Sequence, residues 1–232
     1  MKKILYVGAS WASRSYDNPD GSETDFTSLY KELELEKFNV INLAFPGTSN
    51  QYFLDQLIYK DDPTGYKEHY DAIIWVYCEP LIELQIQQKM QEFLESENFW
   101  NMRSEANKKI LDQIAQLDKP VALIGSASDI VDCAHKNITV IHPSWQKFLA
   151  DIANVDLKYG GWAADAAHAE LVTTYKNVVP SKGIVEAITE QFSAWRKLQY
   201  HRLFCWCHPN KKGNELFAKE IKNSVYSWID NL

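Results

Sequence analysis

Four short apolar, β-branched runs, at residues 3–7, 39–43, 72–77 and 121–124, constrain this chain more than any other feature; a fifth, weaker run covers 138–141. Each is nearly continuous in apolar residues, as strands buried on both faces of a parallel sheet are. Segments with helical spacing lie between them. Residues 26–36 follow the cap-type residues Thr24 and Asp25, and residues 51–59 follow Ser49-Asn50. Residues 81–97 and 105–117 fill the gap before the fourth run, and 213–229 carry Leu216, Phe217, Ile221, Val225 and Trp228 at helical intervals. Strands alternating with helices predict βαβ units with right-handed crossovers. The expected fold class is α/β, a three-layer α/β/α sandwich on a mostly parallel sheet of about five strands.

A length of 232 residues suits a single domain of this kind. Residues 129–200 fit the alternation less well and contain a helical-looking stretch at 184–198. They are expected to be an insertion or lid within the one domain. The formal charge of −7 speaks against a dedicated nucleic-acid binder, because phosphate contacts need a basic surface. No run approaches the roughly 20 apolar residues that span a bilayer. Met1-Lys2-Lys3 resembles the start of a signal peptide, but the apolar stretch behind it is too short and runs into a glycine turn. Cys78, Cys133, Cys205 and Cys207 form no disulfide framework of the secreted type, so the expected setting is reducing and cytoplasmic. The residues imply nothing about oligomeric state.

Three places offer chemistry. Val7-Gly8-Ala9-Ser10-Trp11 sits at the carboxyl end of the first strand, where open parallel sheets bind ligands. Its plainer reading is a turn with a serine cap. It lacks the spacing of a dinucleotide or phosphate-binding glycine loop. After the second strand, Gly47 can aim a backbone N–H, and Asn50 a side-chain amide, at the oxyanion of an acyl-transfer intermediate. The plainer reading there is a Pro46-Gly47 turn with an Asn cap. Before the last helix comes Cys205-Trp206-Cys207-His208-Pro209-Asn210, in which His208 is the residue type best suited to act as a base near neutral pH.

Taken in order, these motifs resemble the SGNH/GDSL hydrolase family. Gly8-Ala9-Ser10 matches its G-D-S motif, Gly47 its oxyanion glycine, and His208-Pro209 with Gly213 the histidine half of its D-x-x-H-P motif. The resemblance implies a flavodoxin-like sandwich and a serine esterase. Ser10 would be nucleophile and His208 base, with the N–H groups of Ser10 and Gly47 holding the oxyanion. The implied substrate is an acyl ester, such as an acetyl ester, of a carbohydrate or small molecule, with no cofactor.

Two positions depart from the family pattern. Cys205 stands where the triad aspartate belongs, and a thiol does not offset imidazolium charge as a carboxylate does. A Ser10–His208 dyad, or help from Glu79 or Asp165, are the alternatives. The family's oxyanion asparagine after the third strand falls on Cys78-Glu79-Pro80, and proline has no N–H to give. Asn50 is the available substitute, and loss of one such donor costs about 10²–10³ in rate.

A second function class is a catalytically impaired binding protein on the same fold. It would hold a sugar or peptide in a cleft lined by Trp11, Trp75, Trp162 and Trp206. A third is a metal site from His201, Cys205, Cys207 and His208, disfavoured because Cys-x-Cys-His is not the usual ligand spacing; none is expected. His135 and His142 read as surface or cap residues. Lys108-Lys109 read as a solvated helix face, and Lys211-Lys212 near the site need no function.

Overall fold

Residues 2–13, 28–58, 70–78, 99–127, 129–131, 133–154, 203–205 and 208–232 are described by the computed structural model. In chain order they form β1 (Ile4–Gly8), α1 (Ser10–Ser13), α2 (Leu29–Glu32), a 3₁₀ turn (Leu35–Lys37), β2 (Val40–Asn42), α3 (Asn50–Ile58) and β3 (Ala72–Tyr77). After these come α4 (Phe99–Ala115), β4 (Val121–Gly125), β5 (Ile138–His142), α5 (Trp145–Ile152), β6 (Phe204–Cys205), β7 (His208–Pro209) and α6 (Lys211–Asp230).

β1 to β5 build one sheet in the order β2-β1-β3-β4-β5, and every neighbouring pair is parallel. All residues of β1, β3 and β4 are buried, which is why those runs carry no polar alternation. Their side chains part to two cores. On one face Ile4, Tyr6, Ile74, Val76 and Ile124 meet α1, α2, α5 and α6 through Trp11, Leu29, Trp145, Leu149, Phe217 and Ile221. On the other, Leu5, Val7, Ile73, Trp75 and Leu123 meet α3 and α4 through Phe53, Leu54, Leu57, Leu111 and Ile114. Each such fully buried side chain contributes about 1.5–3 kcal/mol. The result is the three-layer α/β sandwich expected from the alternation of runs.

The strands fall within a residue of their sequence-predicted bounds. The helix expected over 26–36 is shorter: α2 ends at Glu32, and Glu34 turns left-handed (φ 54°) before the 3₁₀ turn. Part of the stretch expected to be an insertion belongs to the sandwich, because β5 extends the sheet and α5 packs Trp145 and Leu149 into the first core. The helices expected at 81–97 and 184–198 lie outside the described residues. Among the described residues, no helix is long and apolar enough to cross a membrane.

The sheet order reverses direction between β1 and β3. In open α/β sheets, the crevice beyond the carboxyl ends of strands at such a reversal is where ligands bind. Ser10 follows β1 and Cys78 follows β3, so both stand at that crevice.

Candidate active site

The serine side of the crevice is built by a turn that admits no side chain. At Gly8 a Cβ would lie 2.6 Å from Ala12 Cβ and 2.9 Å from both Val76 Cβ and the Val76 carbonyl oxygen. The chain can therefore fold straight back from β1 into α1, where Ala12 N and Ser13 N both donate to the Ala9 carbonyl. The Tyr6 hydroxyl donates to the Ala12 carbonyl at 3.2 Å, and burial raises its pKa well above the ordinary phenol value, keeping it protonated. Trp11 and Ala12 are buried and hold this turn down, leaving Ser10 half-buried at the rim.

His208 comes to the same point from the far end of the sequence. Its Nε2 lies 2.6 Å from Ser10 Oγ, although the two residues are 198 positions apart. β6 and β7 pair antiparallel, placing Cys205 opposite His208 in the backbone register. Next to it, Asn210 N donates to the Leu203 carbonyl at 3.0 Å. The Asn210 side chain caps α6 by accepting from Gly213 N at 2.9 Å. Phe217 anchors that helix by stacking on Trp145, with centroids 4.6 Å apart and planes 10° from parallel. With Nε2 unprotonated, the Ser10 hydroxyl donates to it, which is the geometry a general base requires of its nucleophile.

The loop after β2 forms the third wall. Leu43 N donates to the Tyr6 carbonyl at 2.8 Å and Phe45 N to the Gly8 carbonyl at 3.0 Å, so the chain follows β1 to its end. Gly47 then takes φ +74°, a conformation that disfavours any residue with a Cβ, and it is exposed. Ser49 caps α3 through its Oγ, which accepts from Tyr52 N at 3.1 Å. Asn50, read from sequence as an oxyanion donor, is instead fully buried and turned toward β3. Its Oδ1 accepts from Cys78 N (3.0 Å) and Trp75 Nε1 (3.1 Å), while its Nδ2 donates to the Cys78 carbonyl (2.9 Å). A side chain enclosed and engaged in this way does not reach a substrate. With Ser49 taking the cap, Asn50 is left to turn inward. No sequence signal separates those two jobs in a Ser-Asn pair.

The remaining candidates are placed as follows. Trp11 and Trp75 belong to the cores on opposite faces of the sheet, not to a shared cleft, because each fills the space between strand and helix. Trp162, Trp206, Glu79, Pro80, Asp165, His201 and Cys207 lie outside the described residues. His135 Nε2 lies 3.1 Å from Asp112 Oδ1, and Lys108 pairs with the same carboxylate at 2.7 Å. His142 Nδ1 accepts the Ser144 N–H at 3.2 Å. Lys212 lies 3.6 Å from Glu215 on a solvated turn. No group of three or more His, Cys, Asp or Glu side chains is arranged to hold a metal ion among the described residues.

No family model matches the sequence, and no curated protein matches it significantly. Among solved structures, the inhibitor-bound form of M. smegmatis aryl esterase aligns over 98% of this chain and 100% of that chain, at 11% identity and a TM-score of 0.41. A likeness that distant carries no argument.

Proposed function

We propose that this chain is a serine hydrolase of the SGNH/GDSL type acting on an acyl ester, with Ser10 as nucleophile and His208 as general base. The observation that carries the reading is the 2.6 Å approach of His208 Nε2 to Ser10 Oγ at the sheet's reversal point. Two distant segments converge there on a pairing that a structural serine does not need. In the first half of the reaction His208 takes the Ser10 proton as Oγ attacks the acyl carbon. The N–H groups of Ser10 and Gly47 bind the oxyanion. Collapse of that intermediate expels the alcohol, which receives the proton from His208 and leaves an acyl-serine. Water, deprotonated by His208, then attacks the acyl carbon and releases the acid with regeneration of Ser10.

Cys205 at the triad-acid position makes this a Ser10–His208 dyad or an atypical triad. The substrate class is a short acyl ester, such as an acetyl ester, of a carbohydrate or small molecule, as the family resemblance implies. The test is intact-mass labelling with a fluorophosphonate, comparing wild type with Ser10→Ala and His208→Ala. Stoichiometric wild-type labelling that both variants abolish is the expected result. A folded wild type that takes no label overturns the reading and favours a binding protein on the same fold.

A further inference from the structure

We infer that Asn50 is a positioning residue of this site, locking the Gly47 loop across the carboxyl end of β1. The inference rests on the hydrolase reading. It starts from sheet order: β1 lies between β2 and β3, so a segment that leaves β2 and is fixed to β3 must bridge the end of β1, the strand that delivers Ser10. Residues 45–50 do this. One end is held where Phe45 N donates to the Gly8 carbonyl at 3.0 Å. The turn is closed by the Thr48 hydroxyl, which donates to the Phe45 carbonyl at 2.5 Å. The other end is held by Asn50, which pairs with both the N–H and the C=O of Cys78 just past β3. Gly47, whose N–H is the proposed oxyanion donor, lies between these two fixed points.

An Asn that satisfies both the N–H and the C=O of one residue makes a two-point contact that resists sliding and rotation. Its third bond, from Trp75 Nε1, fixes which end of the amide is oxygen. The clamp thereby preorganises the Gly47 N–H, on which the proposed oxyanion hole depends. Displacing one oxyanion donor costs about 10²–10³ in turnover. The clamp is therefore expected to show in kcat and not in KM.

The experiment measures kcat and KM for p-nitrophenyl acetate together with Tm. Asn50→Asp keeps the side chain's size and its acceptor, but sets an oxygen against the Cys78 carbonyl. It is expected to lower kcat by about 10–100-fold with KM nearly unchanged. Leu111→Ala on α4 removes packing from the same core and leaves all three Asn50 bonds, so it lowers Tm without lowering kcat. Should Asn50→Asp fail to fold, Thr48→Val decides, because it loosens the same loop by one bond and is expected to lower kcat several-fold. Wild-type kcat in Asn50→Asp, or in Thr48→Val where that variant decides, overturns the inference. So does an equal loss of kcat in Leu111→Ala, since the effect would then be general destabilisation. A wild type inert to both the ester and the fluorophosphonate overturns the hydrolase reading and this inference with it; an active wild type with an unaffected Asn50→Asp overturns this inference alone.

Discussion

The two halves of the Ser10–His208 pair are held by different kinds of structure. Ser10 follows a strand whose neighbours on both sides are parallel partners and whose residues feed both cores. His208 opens β7, half of an antiparallel pair of two-residue strands outside the main sheet, and α6 behind it packs into one core only. Ser10 is thus fixed through β1 by sheet hydrogen bonds and burial on two faces. Among the described residues, the supports of His208 include the β6–β7 pairing, the Asn210 cap, the Asn210 N–H to the Leu203 carbonyl, and the packing of α6 through Phe217, Ile221 and Val225. The histidine arm is therefore expected to be the more sensitive of the two to loss of packing.

The hardest blow to that arm is Phe217→Ala. It removes a fully buried ring that stacks on Trp145 and touches His142 and Phe148. A loss of about 3–5 kcal/mol is expected in chemical denaturation. Leu54→Ala, equally buried on the opposite face, is expected to cost about 2–5 kcal/mol. Measured where both variants are fully folded, fluorophosphonate labelling should slow in Phe217→Ala and stay near wild type in Leu54→Ala. Equal slowing in both would end the asymmetry between the arms.

Gly8→Ala attacks the serine arm directly. The new methyl meets the Val76 carbonyl oxygen, which belongs to the backbone of a buried strand and has nowhere to go. Overpacking of this kind costs about 1–3 kcal/mol. Because α1 must yield, labelling of Ser10 should be lost beyond what the stability change explains. Gly47→Ala is the control for backbone conformation, since a Cβ added there would meet nothing within 4 Å and only the φ of +74° is unfavourable. It should cost about 1–2 kcal/mol. If Gly8→Ala labels like wild type, the tight turn is not what presents the serine.

How legible each arm was in the sequence follows the same division. Continuous apolar runs reveal buried parallel strands directly, and the turn after the first of them, Gly8-Ala9-Ser10, is adjacent in sequence to the strand that explains it. From its own residues His208 was legible only as a residue type before a helix, and its pairing with Ser10 was legible only through the resemblance of His208-Pro209 and Gly213 to the family motif. Its partner lies 198 positions away, and no local pattern encodes such a contact. Asn50 was legible as a polar residue at a helix start but not as a clamp, because its partner is the backbone of Cys78, which every sequence supplies. Trp11 and Trp75 look alike in sequence, yet they fill different cores on opposite faces of the sheet. The run at 138–141, expected as a fifth strand within the stretch 129–200, was the weakest for a related reason. β5 is the outer strand next to β4, so most of its residues are only half-buried and its apolar run is correspondingly weak.

The finest probe of the histidine arm is pH, through His142 at the end of β5. Its ring sits edge-on to Phe148 and Phe217, 5.7 and 5.1 Å away, and so lies directly under α6. Burial holds its pKa below the usual 6.5; Glu220 opposes this most, followed by the Ser144 backbone, Asp129 and Asp151, and burial outweighs them together. Lys147 lines the same cleft. The neutral ring also suits the Ser144 N–H, which needs an unprotonated Nδ1 to accept it. Because the folded value is depressed, the unfolded chain binds the proton first as pH falls. The contribution to stability is therefore present above about 6.5 and declines as pH drops toward the folded value. The Tm of wild type minus that of His142→Gln, which cannot titrate there, should be constant above pH 7 and shrink between pH 6.5 and 5. A difference that stays flat or grows over that interval would mean that His142 is not held neutral, and that α6 rests on Phe217 without help from the end of β5.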